Sequence, residues 1–245
     1  MLISFYEEFP DENNLSKLKL IKFPTKLYIA SKSVEEFNQI KSKIKSPYVK
    51  EIIYWPTLTK EEGYWLSPFS NRKAILRTIS ELKDSTIPVM WDSELPFRHP
   101  LLFFKEFPNF FRNKRLIKNF LEFYPKVYIS ESFSPSYLHE KLLRFLGISF
   151  KYSPNIYTIK MTYSSMHDFG KYLIEQQIIK GKNNYKNNFM LAFGVLTQGI
   201  LGNEPAISTK LLERDLNLAK KHNLSEVVIF RLGGLSKKYL KILSQ

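Results

Sequence analysis

The stretch "STIPVMWDSELP" (residues 85–96) decides the fold. Its apolar run, Ile87 to Trp91, reads as a buried strand, yet it stops abruptly in Asp92, Ser93 and Glu94. Successive strand side chains point to opposite faces, so Met90, Asp92 and Glu94 share one face while Val89 and Trp91 share the other. A buried strand that ends with two carboxylates on one face needs an opening for them to look into.

Similar apolar runs alternate with segments of helical period along the whole chain. Strands are expected at 2–7, 26–31, 51–55, 87–92, 126–131, 156–161, 189–194 and 226–231. The clearest helices are expected at 33–45, 70–83, 112–124, 134–147, 165–181 and 208–223. Ser33, Ser70, Ser134 and Ser208 stand where N-caps belong, and Glu36 gives Ser33 a capping-box pattern. The first crossover holds only "ENNLSKLKLI" (12–21), and "SKKYLKIL" (236–243) is the last helix.

Eight strands, each followed by a helical segment, in about 250 residues are the count and size of a (β/α)8 TIM barrel. An open doubly wound sheet competes, but the glycine-rich turn that would hold a dinucleotide after strand one is missing. No linker, repeat or composition shift divides the chain. Residues 1–245 therefore read as a single α/β domain, one (β/α)8 barrel.

Composition narrows the function classes. The 245 residues are 44% hydrophobic and 15% aromatic, which is ample for a core. No apolar run approaches the roughly 20 residues of a membrane span. "MLISFYEEFP" (1–10) has no basic stretch before an apolar core, so no secretory signal is expected and the chain reads as cytoplasmic; a signal already removed is the alternative. There is no cysteine, which removes disulfides, thiolate metal sites and a cysteine nucleophile. His99, His139, His167 and His222 stand alone in the sequence, so neither a metal nor another cofactor is expected. The net charge of +14 invites a nucleic-acid reading. The lysines, however, are spread over faces that read as solvated. The densest basic spot, "RNKR" (112–115) beside "FFKEFPNFF" (103–111), comes with no nucleic-acid motif. A carbohydrate or another small molecule is the expected partner.

A barrel carries its chemistry at the C-terminal ends of its strands. Those ends supply Glu8 after strand one, Trp55 after strand three with Tyr64 and Trp65 in its loop, and Asp92 and Glu94 after strand four. Strands five, six and eight add Glu131, Tyr163 and Arg231. Two like charges as close as Asp92 and Glu94 cannot both ionise freely, so one carboxyl can serve as an acid near neutrality. The plain alternative is that Asp92 caps a turn and Glu94 is solvated or paired with Arg98. Trp55 and Trp65 offer flat faces for sugar rings, or else pack the core. Tyr6 and Glu8 share a face of strand one opposite Ile3 and Phe5, so Glu8 is expected either to look into the mouth with Tyr6 or to be a solvated turn residue before Pro10. Glu131 has Val127 and Ile129 on its own face, which leaves a helix-facing position open. Arg231 either binds an anionic group or pairs with one of the carboxylates.

The segment "VMWDSELP" (89–96) resembles the end of the acidic fourth-strand signature of glycoside hydrolase family 18, the chitinase-like enzymes. "IKMTYSS" (159–165) is similar to that family's Met-x-Tyr-Asp strand, and "FMLAFGVLTQG" (189–199) to its seventh strand. The resemblance implies a (β/α)8 barrel acting on N-acetylhexosamine-type sugars. Glu94 would then be the acid that protonates the glycosidic oxygen. Asp92 would orient the substrate's own acetamide as nucleophile, and Tyr163 would hydrogen-bond that acetamide. This chain departs from the family where Ile87 and Met90 replace earlier acids, Pro88 a glycine and Ser164 the sixth-strand Asp. The third-strand Ser-x-Gly-Gly is also absent from "IIYWPTL" (52–58). The departures keep two alternatives open, a non-catalytic carbohydrate-binding barrel and a different TIM-barrel hydrolase or isomerase.

Overall fold

Each of the eight apolar runs forms a strand. In the computed structural model, which describes residues 1–97, 99–167 and 169–244, the strands close into one parallel ring. They are β1 (Leu2–Glu7), β2 (Thr25–Ser31), β3 (Val49–Pro56), β4 (Val89–Ser93), β5 (Val127–Ser132), β6 (Ile156–Met161), β7 (Phe189–Gly194) and β8 (Glu226–Phe230). They pair in sequence order, and β8 returns to β1 through five register pairs from Leu2↔Glu226 to Tyr6↔Phe230. This is a single (β/α)8 barrel.

Strand parity sorts the apolar residues into two layers. Tyr6, Tyr28, Ile53, Met90, Tyr128, Ile159, Met190 and Val228 pack together inside the ring. Phe5, Leu27, Tyr54, Trp91, Ile129 and Val227 face outward into the layer shared with the helices. Trp91, fully buried, stacks 5.6 Å from Phe120 and donates its indole N–H to Leu66 O at 3.1 Å. The alternation read in 85–96 therefore holds: Val89 and Trp91 face the helices, and Met90 faces the barrel interior.

The helices are α1 (Glu12–Ser16), α2 (Val34–Lys43), α3 (Arg72–Leu82), α4 (Pro100–Glu106), α5 (Phe110–Phe123), α6 (Tyr137–Phe145), α7 (Lys171–Tyr185), α8 (Thr209–Lys221) and α9 (Lys237–Leu243). Ser33 and Ser208 cap α2 and α8 by accepting the N–H groups of Glu36 and Leu211. The other two expected caps differ. Asn71 caps α3 instead of Ser70, whose hydroxyl pins the preceding loop by donating to Trp65 O (2.7 Å) and accepting from Ser67 N–H (3.0 Å). Ser136, two residues past Ser134, caps α6. α7 begins at Lys171 rather than 165 because the chain after β6 first forms turns at the barrel rim. α4 was not expected; it starts at Pro100, whose missing N–H costs nothing in a first turn.

β4 starts at Val89, two residues later than its apolar run, because Pro88 has no N–H for the ladder. Among the described residues, β3 and β4 are in register only at Tyr54↔Val89, where Tyr54 N–H donates to Pro88 O at 2.9 Å. The β2–β3 ladder by contrast runs from Thr25 to Ser31. Among the described residues no helix is long and apolar enough to cross a membrane.

Candidate active site

The strands end around a cavity of about 560 Å3. Strand parity aims Tyr6 and Glu8 of the β1 end, Met90, Asp92 and Glu94 of the β4 end, and Ser130 and Ser132 of β5 into it. Trp55, Trp65, Tyr163 and Phe230 complete its aromatic wall. The rings of Tyr6 and Trp55 lie 5.6 Å apart, and those of Tyr163 and Phe230 5.7 Å apart. Trp65 meets Tyr64 edge-on at 5.4 Å.

Four carboxyl groups line this space, those of Glu8, Asp92, Glu94 and Glu204. Glu8 is anchored on both oxygens: the Tyr64 hydroxyl donates to Oε1 at 2.6 Å and the Ile200 N–H to Oε2 at 2.9 Å. The close approach of the 200 segment needs Gly199, where a Cβ would sit 2.5 Å from Glu8 Oε2. Burial nevertheless pushes the Glu8 carboxyl up to about 7. Glu94 is likewise pushed up to about 7, first by burial and then by the charge of Glu8. Asp92 is held well above its ordinary range by burial, then by Glu94 and Glu8; the Trp55 indole and the Ser130 hydroxyl pull it partly back. Burial, then the negative groups around it, keep the Tyr163 hydroxyl protonated. The cluster thus holds exchangeable protons near neutrality, beside flat aromatic faces.

Of the residues expected from the sequence, Glu94, Asp92, Tyr163, Trp55, Trp65, Tyr6 and Glu8 are brought together here. Glu131 and Arg231 are not. Glu131 follows Val127 and Ile129 to the outer face of β5, where its carboxylate is fully buried against Lys160 Nζ (2.5 Å) and accepts Phe150 N–H (2.9 Å). Arg231 donates to Glu7 Oε1 and to Gln198 O, each at 2.9 Å, which is the carboxylate pairing given as its alternative. Arg98, the suggested neighbour of Glu94, lies outside the described residues.

Sequence reasoning missed Ser130 and Glu204, both lining the cavity. Ser130 was legible, since alternation sets it on the inward face beside Tyr128. Glu204 sits in the loop after β7, where no periodicity assigns a direction, and its Oε1 accepts Leu201 N–H at 3.2 Å. Ser164 is turned from the cavity, its hydroxyl accepting from Arg214 at 3.1 Å. Among the described residues no group of three or more His, Asp or Glu side chains is placed to hold a metal ion.

No protein-family model matches the chain, and no curated protein matches it. Three solved structures share its fold at a TM-score of 0.53 each. The glycoside hydrolase domain of PgaB (BpsB) from Bordetella bronchiseptica is 8% identical over 94% of this chain and 93% of its own. The spore cortex-lytic enzyme SleL from Bacillus megaterium is 10% identical, covering 99% of this chain and 73% of its own. A chitinase from Chromobacterium violaceum is 10% identical over 100% and 98%. The fold is therefore a barrel of the kind seen in glycoside hydrolases.

Proposed function

We propose that the chain is a glycosidase acting on N-acetylhexosamine-type glycans, with Glu94 as its acid. The observation that carries this reading is the convergence of Glu94, Asp92 and Tyr163 on one cavity walled by Trp55 and Trp65. A carboxyl poised at about 7 holds a proton at working pH and can release it. In the proposed reaction, Glu94 gives that proton to the glycosidic oxygen as the anomeric C–O bond breaks. The carbonyl oxygen of the substrate's 2-acetamide forms the new bond to the anomeric carbon, and Glu94 then takes a proton from the water that opens the ring. Asp92 accepts the acetamide N–H and stabilises the charge it gains, while the Tyr163 hydroxyl donates to the acetamide oxygen. The tryptophan faces hold the sugar rings.

Glu94→Gln is expected to abolish hydrolysis of an aryl N-acetylglucosaminide with the fold retained by circular dichroism. Turnover equal to wild type removes Glu94 from the role. A second reading, a barrel that binds such glycans without cleaving them, is favoured by Met90 at the family's inner acidic position and by Ser164 facing Arg214. Saturable binding of chitooligosaccharides with no turnover by the wild-type protein would select it.

A further inference from the structure

The face of the barrel beside β4 and β5 carries a stripe of large apolar side chains left in water. Leu101, Phe104, Phe107 and Phe111, at helical spacing along α4 and the start of α5, are 68%, 80%, 67% and 69% exposed. The opposite side of the same segment supplies the buried Leu102, Glu106, Phe110 and Asn113, so the outer stripe is not needed to hold the helices. Two further exposed rings flank the segment. Phe97, 70% exposed, contacts Phe103 at 6.4 Å, and Phe145 of α6, 57% exposed, contacts Phe110 at 6.1 Å. Contiguous exposed apolar surface of this kind marks an interaction site.

Charge identifies the partner. Through α5 the acidic side chains after Phe97 are Glu106 and Glu122, and Glu122 is paired with Lys118 at 3.4 Å. Glu106 is buried and engaged by the amides of Asn71 and Asn109. Lys105, Arg112 and Arg115 are exposed on the same segment as the phenylalanines. A second copy docked through this face by a two-fold axis would bring those cations against themselves, with the segment's exposed acid, Glu122, already taken up by Lys118. Protruding rings ringed by cations instead suit a fluid phase that has anionic groups above and hydrocarbon below. We propose that this face seats the protein on an anionic lipid surface, with Phe104, Phe107 and Phe111 inserted at headgroup depth and Lys105, Arg112 and Arg115 on lipid phosphates. The patch starts three residues after Glu94, so seating there sets the cavity mouth beside the lipid surface.

The test is sedimentation of the full chain with vesicles of equimolar phosphatidylcholine and phosphatidylglycerol, and with vesicles of phosphatidylcholine alone. Binding to the anionic vesicles is expected, reduced by salt and weakened about tenfold or more in the Phe104→Ser/Phe107→Ser/Phe111→Ser variant. Phe123→Ser, which removes an 85% exposed ring at the far end of α5, is expected to leave binding unchanged. All four positions are exposed, and circular dichroism checks that each variant folds. Three outcomes overturn the proposal: no binding to either vesicle, binding indifferent to the triple variant, or a wild-type dimer abolished by that variant in the absence of vesicle binding.

Discussion

Glu94 illustrates how one side chain's surroundings reach the behaviour of the whole protein. Its carboxyl binds a proton more tightly folded, at about 7, than at the ordinary 4.5. Between those values the native state holds more protons than the unfolded chain, so this group's contribution to stability falls as pH rises through the window. Glu94→Gln removes that loss. The variant is therefore expected to be more stable than wild type at pH 8, by on the order of 1–3 kcal/mol, with the difference vanishing below about pH 4. Parallel melting curves across pH check this; a constant offset at every pH would reject it. If Glu94 is the acid, activity falls as pH rises above about 7, because the proton it must donate is gone. The facing of Met90, Asp92, Glu94, Tyr6 and Glu8 was legible from alternation alone. Glu131 was chosen for its charge against its parity, and parity prevailed. No sequence rule reached Glu204, since its direction depends on how a loop returns over the barrel.

At the scale of elements, the Glu131–Lys160 pair joins β5 to β6 on the helix side of the sheet, both side chains at most 2% exposed. Glu131→Gln keeps an acceptor for Phe150 N–H but strands the Lys160 charge in the interior. Removing one partner of a buried pair costs about 3–5 kcal/mol, so a large drop in Tm is expected, with ligand affinity unchanged at temperatures where the variant is folded. Weakened ligand affinity there would instead restore Glu131 to the cavity. The strands were read nearly in full because each carries a short, mostly apolar run. The helix starts were read less well. Ser70 and Asn71 are both competent caps, and the choice fell on Asn71 because the Ser70 hydroxyl was already committed to the loop. α4 escaped notice because its two apolar faces, one buried and one bare, hide the amphipathic signal that marks a surface helix.

For the molecule as a whole, the count of eight strands settled the architecture, while the +14 charge said little until the structure showed which cations surround exposed rings. Thermal opening of the ring is expected to concentrate where its ladder is shortest, between β3 and β4. Deuterium exchange is expected to be faster at Tyr54, whose N–H crosses that junction, than at Leu27 or Ile129 within the longer ladders of β2 and β5; equal protection would count against it. Trp55 rides on one lip of this junction and Asp92 with Glu94 on the other. A glycan spanning both lips would act as a clasp, so occupancy would register as slowed exchange along the seam, and the free barrel would be springiest at the spot where its acids must be aligned.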